Sequence, residues 1–152
     1  YKISLLGLTN SGKTHIIHQL QNNKEEYIPS ITIGINFLKI NFNDKELEIC
    51  DYSGSPKFVS FINIDKKLAD YVFIVCNIND INSICIVNDY ILRVKDVTTH
   101  ILINIETFDI DIKDRKRELT KMFDNLFGNN YSYINSYSHK SVHDIFNKMI
   151  SP

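Results

Sequence analysis

Eight consecutive residues carry the strongest chemical signal in this 152-residue chain: Gly7-Leu8-Thr9-Asn10-Ser11-Gly12-Lys13-Thr14 fits G-x-x-x-x-G-K-[ST] at every fixed position. Two glycines let the loop turn the N–H groups of Thr9, Asn10, Ser11 and Gly12 inward around phosphate oxygens. The start of a helix just beyond them adds a favourable dipole. In such a loop Lys13 pairs with the β- and γ-phosphates, and the Thr14 hydroxyl is an oxygen ligand for Mg²⁺. The flanks suit this chemistry, because the apolar run YKISLLG enters the loop as a strand and a helical stretch from about Lys13 to Gln21 leaves it.

The elements that must position this loop can be read from hydrophobic period. Ile35 to Phe42 and Glu46 to Cys50 are β-branched and aromatic, with Asn43-Asp44 between them, so they predict a hairpin. The runs Tyr71 to Asn77 and His100 to Ile105 read as strands covered on both faces, with room for a helix at Asn82 to Val94 between them. Lys113 to Phe127 sets Leu119, Met122, Phe123 and Leu126 at helical spacing, and Gly128 follows where a helix would stop. A strand at Tyr131 to Ile134 and a helix at Ser141 to Ile150 complete the order. Strands alternating with helices predict one α/β domain over residues 1–152, a mostly parallel sheet with helices on both faces and ligands at the carboxyl ends of the strands.

With these residues in view the chain resembles the Ras-like small GTPases, and within them the Arf/Arl (ADP-ribosylation factor-like) branch, whose phosphate loop also opens on Gly-Leu and closes on Gly-Lys-Thr. The resemblance implies a P-loop NTPase fold with a six-stranded sheet and one antiparallel edge strand. It implies GTP/GDP as ligand and Mg²⁺ as cofactor. Two further motifs carry it, Thr32-Ile33-Gly34 before the hairpin and Asp51-Tyr52-Ser53-Gly54 after a strand. By resemblance Thr32 closes on Mg²⁺ and the γ-phosphate, Asp51 holds Mg²⁺ through water, and the Gly54 N–H senses the γ-phosphate. Taken singly, Thr32 reads more readily as a β-branched residue at a strand start, and Asp51 to Gly54 as a simple Asx turn. The three motifs together describe a site that gathers oxygen ligands from separate strand ends.

The chain also departs from the family. Ser55, followed by Pro56, stands where most members carry the glutamine that orients the attacking water, so the resemblance implies slow intrinsic hydrolysis. The guanine motif N-K-x-D should end the strand HILINI. One register puts Glu106-Thr107-Phe108-Asp109 there, with Asp109 accepting from guanine N1–H and the 2-amino group. A shifted register puts Asn104 in the Asn place and Thr107 in the Asp place. The Asp109 register is preferred because it leaves the strand unbroken. The last guanine loop falls at Asn135 to His139, with Ser138 as the residue whose backbone N–H meets the base. Phe37, just beyond the first switch, is an effector contact by resemblance if it is exposed.

Composition limits the alternatives. A net charge of −1 offers no basic field for nucleic acid. No apolar run approaches the roughly 18 residues of a membrane span. Three cysteines, Cys50, Cys76 and Cys85, suggest a reducing compartment. The resemblance therefore points to the cytoplasm or the surface of an intracellular membrane, with attachment through segments outside this chain. It further implies vesicle trafficking, and effector and regulator proteins that dock on the switch regions. The rivals are a degenerate relative serving as a structural subunit and a P-loop kinase. The kinase would need a basic lid, and the only arginines are Arg93, Arg115 and Arg117. His139 and His143, four apart, could face together but have no third metal ligand with them, and His15 and His18, three apart on the helix after the phosphate loop, read as solvated or partly packed.

Overall fold

The computed structural model describes residues 1–21, 34–105 and 112–150. Its strands are β1 (Lys2–Leu6), β2 (Ile35–Phe42), β3 (Lys45–Tyr52), β4 (Ile64–Asp65), β5 (Tyr71–Asn77), β6 (Val94–Lys95), β7 (Thr98–Asn104) and β8 (Tyr131–Ile134). Its helices are α1 (Lys13–Leu20), α2 (Ile81–Cys85), α3 (Val87–Ile91), α4 (Ile112–Phe127) and α5 (His139–Met149), with a 3-10 turn at Pro56–Phe61. Six strands form one sheet in the order β2-β3-β1-β5-β7-β8, in which only β2 runs antiparallel to its neighbour. The sheet therefore has the expected architecture.

Alternation along the strands divides the core into two layers, as a sheet covered on both faces requires. Ile3, Leu5, Phe73 and Val75 pack with Ile16 and Leu20 of α1 and with Val142 and Phe146 of α5. Leu6, Val72, Ile74 and Cys76 face the other way, onto Val87 and Tyr90 of α3 and Ile112 and Phe123 of α4. Burial of side chains of this size, at about 1.5–3 kcal/mol each, holds the strand ends where the site needs them. The hairpin closes with Phe42 opposite Lys45, so its turn is the two residues Asn43 and Asp44, both at positive φ (47° and 63°). Asn and Asp tolerate that left-handed backbone, which matches the strand twist.

Three details differ from the sequence reading. The helix expected between Asn82 and Val94 is two short helices, α2 and α3, that meet at Ile86. Ser83 fixes the first: its hydroxyl accepts from the Asn77 N–H (2.9 Å) and donates to the Asp80 carbonyl (2.7 Å). A second sheet pairs β4 with β6, two residues each, too short to leave a period in the sequence. On α4 only part of the expected apolar line is covered: Phe123 is buried and Leu119 packs beside it, whereas Met122 and Leu126 lie exposed.

Candidate functional site

The site forms where β1, β3, β7 and β8 end, and the phosphate loop sits at its centre. Gly12 precedes α1 at φ 108°, and a Cβ there would stand 2.2 Å from Asn104 Nδ2. Only glycine satisfies both the backbone and the close approach. Gly54 meets the loop from the other side: its carbonyl accepts from the Thr9 N–H at 3.0 Å, and a Cβ would lie 2.1 Å from that nitrogen. The Asp51-to-Gly54 segment is thus pressed directly onto the phosphate loop by its glycine.

Lys13 is buried, and its ammonium donates to the carbonyls of Gly7 (2.6 Å) and Leu8 (3.2 Å). Burial pushes its pKa down to about 8, against which the negative charge of buried Asp51 acts to raise it. An ammonium held on the loop carbonyls beside the first turn of α1 is a positive charge placed where anionic oxygens would bind. The hard oxygen donors of Thr14 and Asp51 are of the kind that Mg²⁺ takes. Both the cradle and the donor set therefore fit a metal-bound polyphosphate.

Not every expected contact group points at that ligand. The N–H of Thr9 is taken by Gly54, and the N–H of Ser11 donates to the Leu8 carbonyl at 3.1 Å, because the loop closes on itself there. Asn10 adopts φ 66°, a left-handed value that an Asn tolerates. The N–H groups in the first turn of α1 have no helical partner and remain the anion-binding end of the loop. Ser55 caps the 3-10 turn with no side-chain hydrogen bond, while its N–H donates to Ser53 Oγ at 3.3 Å. Thr32, Glu106, Thr107 and Asp109 lie outside the described residues.

On the base side Asn104, which the shifted register puts in the Asn place, is the last residue of β7 and fully buried. Its Nδ2 donates to the Ser11 carbonyl (3.0 Å) and to Ser136 Oγ (2.9 Å), and its Oδ1 accepts from the Ser136 N–H (3.0 Å). One amide side chain thereby ties the phosphate loop to the loop after β8. Ser138, expected to offer its N–H to the base, instead donates it to the Asn135 carbonyl (3.0 Å) and caps α5 with its hydroxyl, which accepts from the Ser141 N–H. Ser136, fully buried beneath it, was missed.

Elsewhere, Phe37 and Phe61 are exposed, while Phe42 is buried and Phe58 half-buried. His139 and His143 stack at 3.7 Å, with His143 Nε2 hydrogen-bonded to the Gln19 carbonyl. No group of three metal-ligating side chains occurs among the described residues. Within those residues no helix is long and apolar enough to cross a membrane.

Comparison with known proteins agrees with this geometry. A family model described as "50S ribosome-binding GTPase" matches residues 2–123. The chain is 29% identical over 161 aligned positions to a "Probable Rab-related GTPase" of Acanthamoeba polyphaga mimivirus, covering 99% of this chain and 74% of that protein. It is 33% identical over 60 residues to human "ADP-ribosylation factor-like protein 9", a segment that makes up 40% of this chain and 32% of the relative. The chain thus spans only about a third of the human relative's length.

Proposed function

Because the chain belongs to the Ras-like small GTPases, on the Arf/Arl side of that superfamily, and so is a small GTP-binding protein, we propose that it works as a molecular switch. It cycles between GTP and GDP forms with slow intrinsic hydrolysis, in the cytoplasm or on an intracellular membrane, in vesicle traffic. The observation that carries this reading is the phosphate loop itself, closed by Gly12 and Gly54 in close approach, with the buried Lys13 ammonium on its carbonyls and the charge of buried Asp51 acting on it. Mg²⁺, when bound, would neutralise phosphate charge and organise the triphosphate; Thr14 and Asp51 are the residues that would hold it, with Thr32 by resemblance.

The remaining roles belong to the chain's own groups. Lys13 counters the charge of the phosphates, and the first turn of α1 orients them. Gly54, in contact with the phosphate loop, is the segment whose position a terminal phosphate would alter. That movement couples the site to the surface beyond it, where exposed Phe37 and Phe61 offer apolar anchors for an effector or regulator. Ser55 is too short to orient water as a glutamine amide does, so an activating protein completes the site. Asn104 braces the base-side loops, which supports the shifted register, with Asn104 as the Asn of the guanine motif.

The test is to purify the protein, denature it, identify any released nucleotide, and titrate the emptied protein with GTP and GDP in the presence and absence of Mg²⁺. Release of GTP or GDP, or Mg²⁺-dependent binding of both, is the expected outcome. Failure to carry or bind either nucleotide would favour the structural-subunit reading that Ser55 already invites.

A further inference from the structure

The loop after β8 contains an aromatic side chain that the switch reading leaves unused. Ser136 is fixed at the bottom of this loop by Asn104, and a Cβ on Gly12 would lie 3.2 Å from Ser136 Oγ, so the loop abuts the phosphate cradle. Tyr137 is the next residue. Its N–H donates to Asn135 Oδ1 (3.0 Å), and its carbonyl accepts from Gln19 Nε2 of α1 (3.3 Å). The ring meets the His15 ring edge-on at 4.5 Å, two residues along α1 from Lys13. Held by hydrogen bonds at its N–H and carbonyl and in ring contact with His15, Tyr137 is nonetheless 55% exposed. A rigid aromatic left half in solvent beside a ligand cradle has one face available for a flat partner.

We propose that this face stacks against the base of the bound nucleotide. The inference rests on the nucleotide-binding reading and adds to it a base-holding residue. Phosphates seated on the loop and on the first turn of α1 leave the nucleoside to extend along the carboxyl ends of β7 and β8, where Asn104 and Ser136 lie and Tyr137 rises above them. Stacking suits such a wall because every purine presents a π-face, whatever polar groups line its edge.

The experiment is a set of binding titrations with GTP, GDP and inorganic tripolyphosphate in Mg²⁺, on the emptied wild-type protein and on Tyr137→Ala, Tyr137→Leu and Tyr137→Phe. Stacking predicts that Tyr137→Ala and Tyr137→Leu weaken GTP and GDP by roughly tenfold, the order of one base–aromatic stack. Tyr137→Phe keeps nucleotide affinity, and tripolyphosphate, which has no base, binds all four proteins alike. The proposal is overturned if Tyr137→Ala binds GTP as the wild type does. It is also overturned if that variant binds GTP more tightly, because the ring then covers the site, or if it loses tripolyphosphate in parallel, because the ring then serves the fold. Tripolyphosphate binding by the wild type without any preference for GTP over it refutes the stacking alone. If the wild type binds neither, the nucleotide reading fails and the stacking with it.

Discussion

The two halves of the site are built on different principles. The phosphate half, Gly7 to Thr14 with Asp51 and Gly54, is made of backbone and two buried charges, and it keeps the G-x-x-x-x-G-K-[ST] pattern in full. The base half, Asn104 with Ser136 and Tyr137, is made of side chains from the end of β7 and the loop after β8, Asn104 and Ser136 being 32 residues apart in sequence. Backbone recognition tolerates little substitution, since a Cβ at Gly12 or Gly54 would strike neighbouring atoms at 2.2 or 2.1 Å. Side-chain recognition can be redistributed among several residues as long as the loops stay braced. The phosphate half is therefore legible as a motif, while the base half is legible only as a geometry.

Breaking the phosphate half should have the largest effect. Lys13→Ala removes a charged donor from the phosphate loop and should lower GTP affinity at least about a hundredfold, with two charge-assisted hydrogen bonds at ~1.5–3 kcal/mol each. Its thermal unfolding should stay close to wild type, because the lysine's own hydrogen bonds in the free protein go to loop carbonyls and not to the core. Wild-type affinity in a titration would remove the loop from the argument.

Asn104→Ala tests the brace. It leaves the Ser11 carbonyl and both polar groups of Ser136 without that partner in a buried place, a cost of about 2–4 kcal/mol. Tm should fall by roughly 5–15 °C, and GTP and GDP should weaken together. A change confined to one nucleotide, at unchanged Tm, would mean that Asn104 does not link the two halves.

Turnover should respond next. Ser55→Gln should raise the single-turnover rate of GTP hydrolysis about tenfold, equivalent to ~1.4 kcal/mol of barrier, and leave GTP affinity as it is. No change in rate would show that another residue orients the water.

The smallest effect is in pH. Free Lys13 loses its proton near pH 8, whereas bound phosphate would keep it charged, so binding takes up a proton once the pH passes that point. GTP affinity should be flat below pH 8 and decline above it, and Lys13→Arg should abolish the decline. Stability of the ligand-free protein carries the opposite sign: the unfolded lysine holds its proton up to about 10.5, so stability rises as pH climbs from 8 towards that value. An affinity that is constant to pH 9.5 would mean that Lys13 stays charged in the free protein.

The sequence by itself determined the phosphate loop, because its chemistry is contiguous and glycine spacing alone dictates the backbone. It determined the strand Tyr71–Asn77 and the sheet class, because a strand covered on both faces is continuously apolar. The hairpin turn at Asn43-Asp44 was equally plain, since few residues accept two consecutive positive φ values. Tertiary structure decided the rest. That Asn104 faces inward to the phosphate loop depends on where β7 ends relative to β8. That Ser138 serves a helix cap while Ser136 serves the site depends on the fold of the four-residue loop between β8 and α5. That α4 leaves Met122 and Leu126 uncovered depends on what packs beside it. In each case the side chain's role is set by a partner distant in sequence, and local period and propensity contain no information about such partners.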